Sequence, residues 1–436
     1  MATTRPSLNY LLTPNLSRPN PTILSARRNL LTLEDGRTII DATGGPAVVS
    51  TGHGDEDVQR AVLGQMSQFS FAHSLFWGHN AAKELARVLI ESTDGKLSKA
   101  LFFGSGSEAI DAIMKLARQF YLELGQPGRT HFIAREGSFH GTTIGSLALT
   151  GKRGPRVQFQ PILPQNVSFV SACNLYRGQR ADEKTADYIQ RLAQELEDEI
   201  QRVGPDKVTG FFVETVSGSS LGCVPPPPGY LAAIKEVCQR HGVFFILDEV
   251  ICGMGRTGTY HAWQHENVVP DIQAVAKGLA GGYAPISGVL VSSQVVDVLA
   301  SGSGFFNHGH TYQLHAVGCA AALEVQRMIK RDDLITNVEI RGRRLYEGLT
   351  RVVGDLPNFV KDKGSKEPFP AKDGVAFRLR AKGLEEPYFV SVHPGNGCAD
   401  GVNGDLLLLS PAYNSTEEID EIVDRVGRLV RDFFSE

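Results

Sequence analysis

The sequence predicts an α/β protein built on a parallel sheet covered by helices on both faces. Three observations lead there. Residues 100–103 (ALFF), 211–213 (FFV) and 243–247 (VFFIL) are unbroken apolar runs, without the alternation of a strand that is wet on one face. Between such runs lie segments whose apolar residues recur at helical spacing. Directly after the runs come acids or small polar residues, at the edge where open α/β sheets bind ligands.

The elements follow in order. Pro6, Pro14, Pro19 and Pro21 interrupt any continuous amphipathic helix at the start. Residues 29–41 read as a hairpin, with apolar arms around Glu34, Asp35 and Gly36. The run at 100–103 leads into Gly104, Ser105, Gly106 and Ser107. The helix that opens there sets Ile110, Ile113, Met114, Ala117 and Tyr121 on one face. Residues 131–134 form the next strand. Ile189, Leu192, Leu196, Ile200 and Val203 mark one face of a long charged helix. A strand at 211–214 ends in Glu214, and Leu231, Ile234, Val237 and Cys238 line the helix after it. The strand at 243–247 ends in Asp248 and Glu249. From about residue 316 the chain is helix-rich. The last helix is expected to open on a capping box of Ser415 and Glu418, then to bury Ile419, Ile422, Val423, Val426 and Val430.

Charge and composition narrow the function. Lys and Arg number 44 against 48 Asp and Glu, a net charge of −4 over 436 residues. Nucleic acid or an anionic membrane would need a basic stripe, so neither is expected as a partner. No apolar run approaches the ~20 residues of a membrane span. The first 33 residues hold four Arg and no acid, a superficial likeness to a transit peptide, but the prolines argue for a cytoplasmic chain. The six cysteines form no CxxC pair and read as reduced and mostly buried. The histidine pairs 308/310 and 261/265 lack further ligands at metal spacing, so no metal is expected. Glycine is in excess, at 46 residues, which points to tight loops or close backbone approach to a ligand.

Three features carry chemistry. Gly104, Ser105, Gly106 and Ser107 precede a helix, whose free N–H groups and dipole suit an anion such as phosphate; the plainer reading is a serine cap on an ordinary helix. Asp248 ends a buried strand and must be paired to stay ionised, by a cationic ring nitrogen or by an ordinary arginine. Lys277, in VAKGL, is an apolar, glycine-flanked lysine that desolvation can render neutral for Schiff-base chemistry, although most lysines are simply solvated.

Taken together, the segments resemble the class III (subgroup II) pyridoxal-phosphate aminotransferases of fold type I, the family of the omega-transaminases. The matching runs are 104–109 (GSGSEA), 138–142 (SFHGT), 247–250 (LDEV), 255–258 (GRTG), 271–278 (DIQAVAKG) and 308–312 (HGHTY), with 225–230 and 404–405 in support. The match extends from about Asn29 to the C-terminus. It implies a seven-stranded large domain over 61–315 and a small α+β domain built from 316–436 with a contribution from 1–60. It also implies a homodimer with active sites at the interface.

The resemblance assigns roles residue by residue. Lys277 would hold pyridoxal phosphate as a Schiff base and shuttle the substrate proton. Asp248 would pair with the pyridinium nitrogen. Phe139 and Val250 would pack on the two ring faces, and Ser105, Gly106 and Ser107 would take the phosphate. His140, Gly141 and Glu214 would complete the cofactor surroundings, with a structural imidazole as the alternative reading of His140. Thr311 would reach the neighbouring subunit's cofactor phosphate. The reaction implied is ping-pong transfer of an amino group from an amine or amino acid to a keto acid, pyruvate or 2-oxoglutarate. Racemases, aminomutases, decarboxylases and phospho-lyases share the scaffold, and an impaired cofactor-binding protein is a further alternative.

Two departures bear on substrate. Gly401 stands where many relatives place an arginine for carboxylates, and the neighbouring Asp400 would favour an amine or cationic group. Phe76 and Trp77 are candidate pocket walls, or else a buried interface cluster, and Tyr283 and Tyr413 are weaker pocket candidates. Arg256 either anchors its own loop or touches substrate. Between residues 352 and 370 a strand of the smaller domain reads as shortened or missing.

Overall fold

The computed structural model describes residues 10–12, 20–354 and 367–435. Its strands are β1 (Ile23–Arg27), β2 (Leu30–Leu33), β3 (Thr38–Asp41), β4 (Lys99–Phe103), β5 (His131–Arg135), β6 (Val167–Val170), β7 (Val208–Glu214), β8 (Phe244–Asp248), β9 (Ile272–Val275), β10 (Ser287–Val291), β11 (Val390–Ser391), β12 (His393–Asn396) and β13 (Asp405–Leu408). Seven of them form one sheet in the order β4-β10-β9-β8-β7-β5-β6. The five from β9 to β6 run parallel, and β10 is antiparallel to both its neighbours. The α/β class and the seven strands agree with the expectation.

The apolar runs are buried on both faces, as their lack of alternation required. Phe211, Val213, Phe245 and Leu247 pack against helices Thr185–Val203 and Tyr230–Arg240. Their strand neighbours Phe212, Phe244 and Ile246 point the other way, onto helix Gly106–Glu123. At about 1.5–3 kcal/mol for each large side chain buried, these strands supply much of the core. The sheet order also decides where ligands can sit. β10 enters between β4 and β9 in reverse, with Ser287 opposite Phe103, so the outgoing ends of β4, β7, β8 and β9 share one edge.

A second sheet, β1-β2-β3-β11, joins distant parts of the chain. β3 pairs in parallel with β11, Ile40 opposite Val390. Ile40 and Ala42 share a core with Val375, Leu379 and Val390 and with the last helix, Glu418–Ser435. Asn29 Nδ2 donates to Ser415 Oγ, and Ser410 Oγ donates to the Thr43 carbonyl.

One expected detail fails. Ser415 does not cap the last helix; its hydroxyl donates to the Ala412 carbonyl and accepts from Asn29. Because the helix starts only at Glu418, that carboxylate instead accepts from the Thr416 N–H and hydroxyl. The segment expected to lack a strand lies largely outside the described residues. No described helix is long and apolar enough to cross a membrane.

Candidate active site

Most of the residues singled out in the sequence converge on one cavity of about 280 Å³ at the shared strand edge. Gly104, Ser105, Gly106 and Ser107 arrive from β4. Phe139, His140 and Gly141 follow β5, Glu214 ends β7, Asp248 ends β8 with Val250 just beyond, and Lys277 follows β9.

Asp248 is 4% exposed, and its two oxygens are held differently. Oδ1 accepts the Val250 N–H at 3.0 Å, and His140 Nδ1 donates to Oδ2 at 2.8 Å. The His140 ring is buried, with Nε2 free of any protein partner among the described residues. Glu214 lies directly across from Asp248 in register and accepts long bonds from Phe139 N, Ser217 Oγ and Gly218 N. Burial, with the Asp248 charge beside it, pushes the Glu214 carboxyl above its ordinary range. Glu249 points away from the cavity and is fully buried. It accepts from Thr215 Oγ1, Ala262 N, Trp263 N and Gln273 Nε2, yet burial pushes it up to about 7.

Lys277 sits at φ +44°, a left-handed conformation that costs a side-chain-bearing residue on the order of 1 kcal/mol or more and concentrates at functional sites. Desolvation holds its amine below the ordinary lysine range, opposed by Asp248 and Glu214 and reinforced by Arg256.

The opposite end of the cavity is a helix N-terminus. Ser105 caps helix Gly106–Glu123 by accepting the Glu108 N–H, and Glu108 Oε2 takes the Gly104 N–H. The N–H groups of Gly106 and Ser107 remain available to an anion. Ser287 Oγ, from β10, donates to the Ser105 carbonyl and fixes the loop. Small residues are required here: a Cβ on Gly106 would meet both Val250 methyls at 3.1 Å. On Gly141, at φ +134°, it would meet Ser107 Oγ at 2.4 Å. The donor set suits pyridoxal phosphate: an N–H cradle for a phosphate, a held carboxylate for a ring cation, and a low-pKa lysine. Among the described residues no group of three or more His, Cys, Asp or Glu is placed to hold a metal ion.

The remaining candidates lie outside this cavity. Thr311, Phe76 and Trp77 are exposed on the single chain. Tyr283 is engaged in structure, its hydroxyl accepting from Asp55 N and donating to the Gly52 carbonyl. Tyr413 is buried beneath the Arg256 guanidinium, 4.5 Å from its ring. Arg256 Nη1 donates to the Pro411 carbonyl, so it does anchor its loop. The Asp400 carboxylate is exposed and accepts from Val402 N, Asn403 N and Asn403 Nδ2 within its own turn. The Arg153 stem lies across Gly401, within 3.3 Å of where a Cβ would stand. No local motif points to Arg153, whose stem only the fold brings there. Val48, Ile251 and Ile286, which also line the cavity, carry no local signal either.

The comparisons agree with this geometry. The family model for aminotransferase class-III matches residues 17–365. An aminotransferase from Gibberella zeae is 46% identical over 95% of this chain and 84% of its own length. The diaminobutyrate–2-oxoglutarate transaminase of Halomonas elongata is 33% identical over 91% of this chain and 87% of its own. The crystal structure of an amine transaminase from an uncultivated Pseudomonas species, in the PLP-bound form, superposes with a TM-score of 0.90 at 26% identity, covering 98% of this chain and 100% of that one.

Proposed function

The chain belongs to the class III aminotransferases, fold type I enzymes that use pyridoxal phosphate to move an amino group from a donor to a keto acid, and from that premise we propose how its own residues divide the work. When bound, the cofactor supplies an electron sink for the substrate carbanion. Lys277 holds it and, once displaced by the donor, moves the proton at the substrate carbon; its depressed affinity for protons keeps the amine competent. Asp248 stabilises the ring cation, and His140 keeps that carboxylate in place. Ser105, Gly106 and Ser107 take the phosphate, while Phe139, Val250 and Gly141 shape the ring's surroundings. Glu214 lines the cavity wall, its carboxyl pushed above the ordinary range by burial.

Two copies of the chain form the working unit in this reading. Exposed Thr311, Phe76 and Trp77 would meet the partner there, Thr311 at the partner's cofactor phosphate. Residues 1–60 and 316–436 make up the small domain and 61–315 the large one, a division supported by the pairing of β3 with β11. Six free cysteines support a reducing compartment, the cytoplasm. The acceptor is 2-oxoglutarate, as in the Halomonas relative's name, with Arg153 the cation for its distal carboxylate.

The observation that carries the proposal is the meeting of Lys277, Asp248 and a helix N-terminus in one cavity. The test is a panel of amines with 2-oxoglutarate, read as glutamate formed. Glutamate from at least one donor, lost in Lys277→Ala, is expected. Consumption of a donor without any glutamate would point to another reaction on the same scaffold.

A further inference from the structure

A second cavity, of about 400 Å³, lies behind the active site, with Ile251 in the wall between them. It opens to solvent beside Cys223, Pro225 and His265, all exposed, and closes on buried Cys252, Leu408 and Ala47. Its lining is predominantly apolar and contains no Asp or Glu. Into this setting the fold brings a guanidinium. Arg256 spends Nη1 on the Pro411 carbonyl at 2.7 Å. Its Nε and Nη2 are buried and have no hydrogen-bond partner among the described residues, and the same is true of the Thr257 hydroxyl.

Those two nitrogens form one edge of the guanidinium, with parallel N–H bonds matched to the two oxygens of a carboxylate. A buried cation with unmet donors is costly, and an anion supplied from outside removes that cost. The apolar walls set the rest of the ligand's character. We propose that this cavity binds an amphipathic monocarboxylate, its carboxylate on the Nε/Nη2 edge of Arg256 with Thr257 beside it, and its apolar body against Val216, Ile251, Leu408 and Leu409. The site is separate from the cofactor cavity and is not used by the transamination steps.

Hexanoate is the probe, titrated calorimetrically into the holoenzyme, with 1-hexanol as the uncharged control. Hexanoate should bind at least tenfold more tightly than hexanol. Arg256→Gln should weaken hexanoate at least tenfold, and Val216→Phe, which fills the cavity without touching the cation, should weaken it as much. Binding should persist after borohydride fixes the cofactor to Lys277 and blocks the active site. The proposal is overturned if hexanol matches hexanoate, if both variants bind hexanoate like the parent, or if borohydride treatment abolishes binding. Should Arg256→Gln prove unfolded by circular dichroism, Val216→Phe and the hexanol control decide the matter.

Discussion

Replacing Gly141 by alanine probes the phosphate cradle directly. Gly141 adopts φ +134°, and a Cβ there would stand 2.4 Å from Ser107 Oγ and 2.5 Å from Ser146 Oγ. The backbone conformation alone costs an L-residue about 1–3 kcal/mol. Ser146 is fully buried and bonded to Thr143 Oγ1 at 2.7 Å, so Ser107, which is only part-buried, is the side chain that yields. Its movement breaks the 3.0 Å bond from Thr142 N to Ser107 Oγ, for about 1 kcal/mol more. The backbone cost is present with and without the cofactor and should lower the apoprotein Tm, whereas the lost bond loosens Ser107 in the cradle, and its about 1 kcal/mol should fall on cofactor affinity. At about 1.4 kcal/mol per tenfold, that loss is roughly fivefold. The assay is titration of the apoprotein with pyridoxal phosphate, followed by absorbance, beside thermal unfolding of the apoprotein. An unchanged affinity beside the lowered apoprotein Tm would refute the reasoning, because the whole cost would then reside in the fold and none in the cradle.

Three further outcomes are expected. His140→Phe keeps a ring but removes the 2.8 Å donor to Asp248; at about 1.5–3 kcal/mol for a bond to a charged group, kcat should fall roughly 10- to 100-fold with the donor KM nearly unchanged, and a normal kcat would mean that the Val250 N–H alone holds Asp248. Glu249 is raised from 4.5 to about 7 in the fold, so its contribution is full below about pH 4.5 and lost above about pH 7. The stability gap between the parent and Glu249→Gln should therefore shrink by about 3 kcal/mol across that window in chemical denaturation; a gap that holds level or widens would show that its four donors keep the carboxylate ionised. Arg153→Ala should raise the KM for 2-oxoglutarate severalfold and leave that for pyruvate unchanged, and equal effects on both would remove Arg153 from acceptor recognition.

The parts of the molecule legible in the sequence are those whose signal is local. β7 and β8 are continuous apolar runs that end in an acid, so burial on two faces and a carboxylate at the ligand edge could both be read from a few residues. The glycine-serine run was equally local, four small residues between a strand and a helix, although it reads as well as a serine cap. The reversal of β10 was not legible, since strand direction depends on the route of the chain and leaves no mark on SGVLV. Tyr283 and Tyr413 show how tertiary partners escape a sequence reading. Their ring and hydroxyl chemistry suits a pocket, but Gly52, Asp55 and Arg256 claim them first, and nothing near them in sequence announces those partners. Arg153 was missed because it is about 250 residues from Gly401 in the chain and meets it only through the packing of two loops.

The pairing of β3 with β11 has a consequence for biosynthesis. Leu33, Ile39 and Ile40, nearly inaccessible in the finished fold, emerge from the ribosome about 350 residues before Val390. At roughly 5–20 residues per second, their partner strand and the last helix follow some tens of seconds later. Val48, which lines the cofactor cavity, trails β3 closely and reaches its final place only when that sheet closes. Closure of the cofactor cavity at Val48 therefore waits on synthesis of β11, and a nascent chain halted before residue 390 carries an unpaired β3 edge and an exposed apolar face, a substrate for chaperones and proteases.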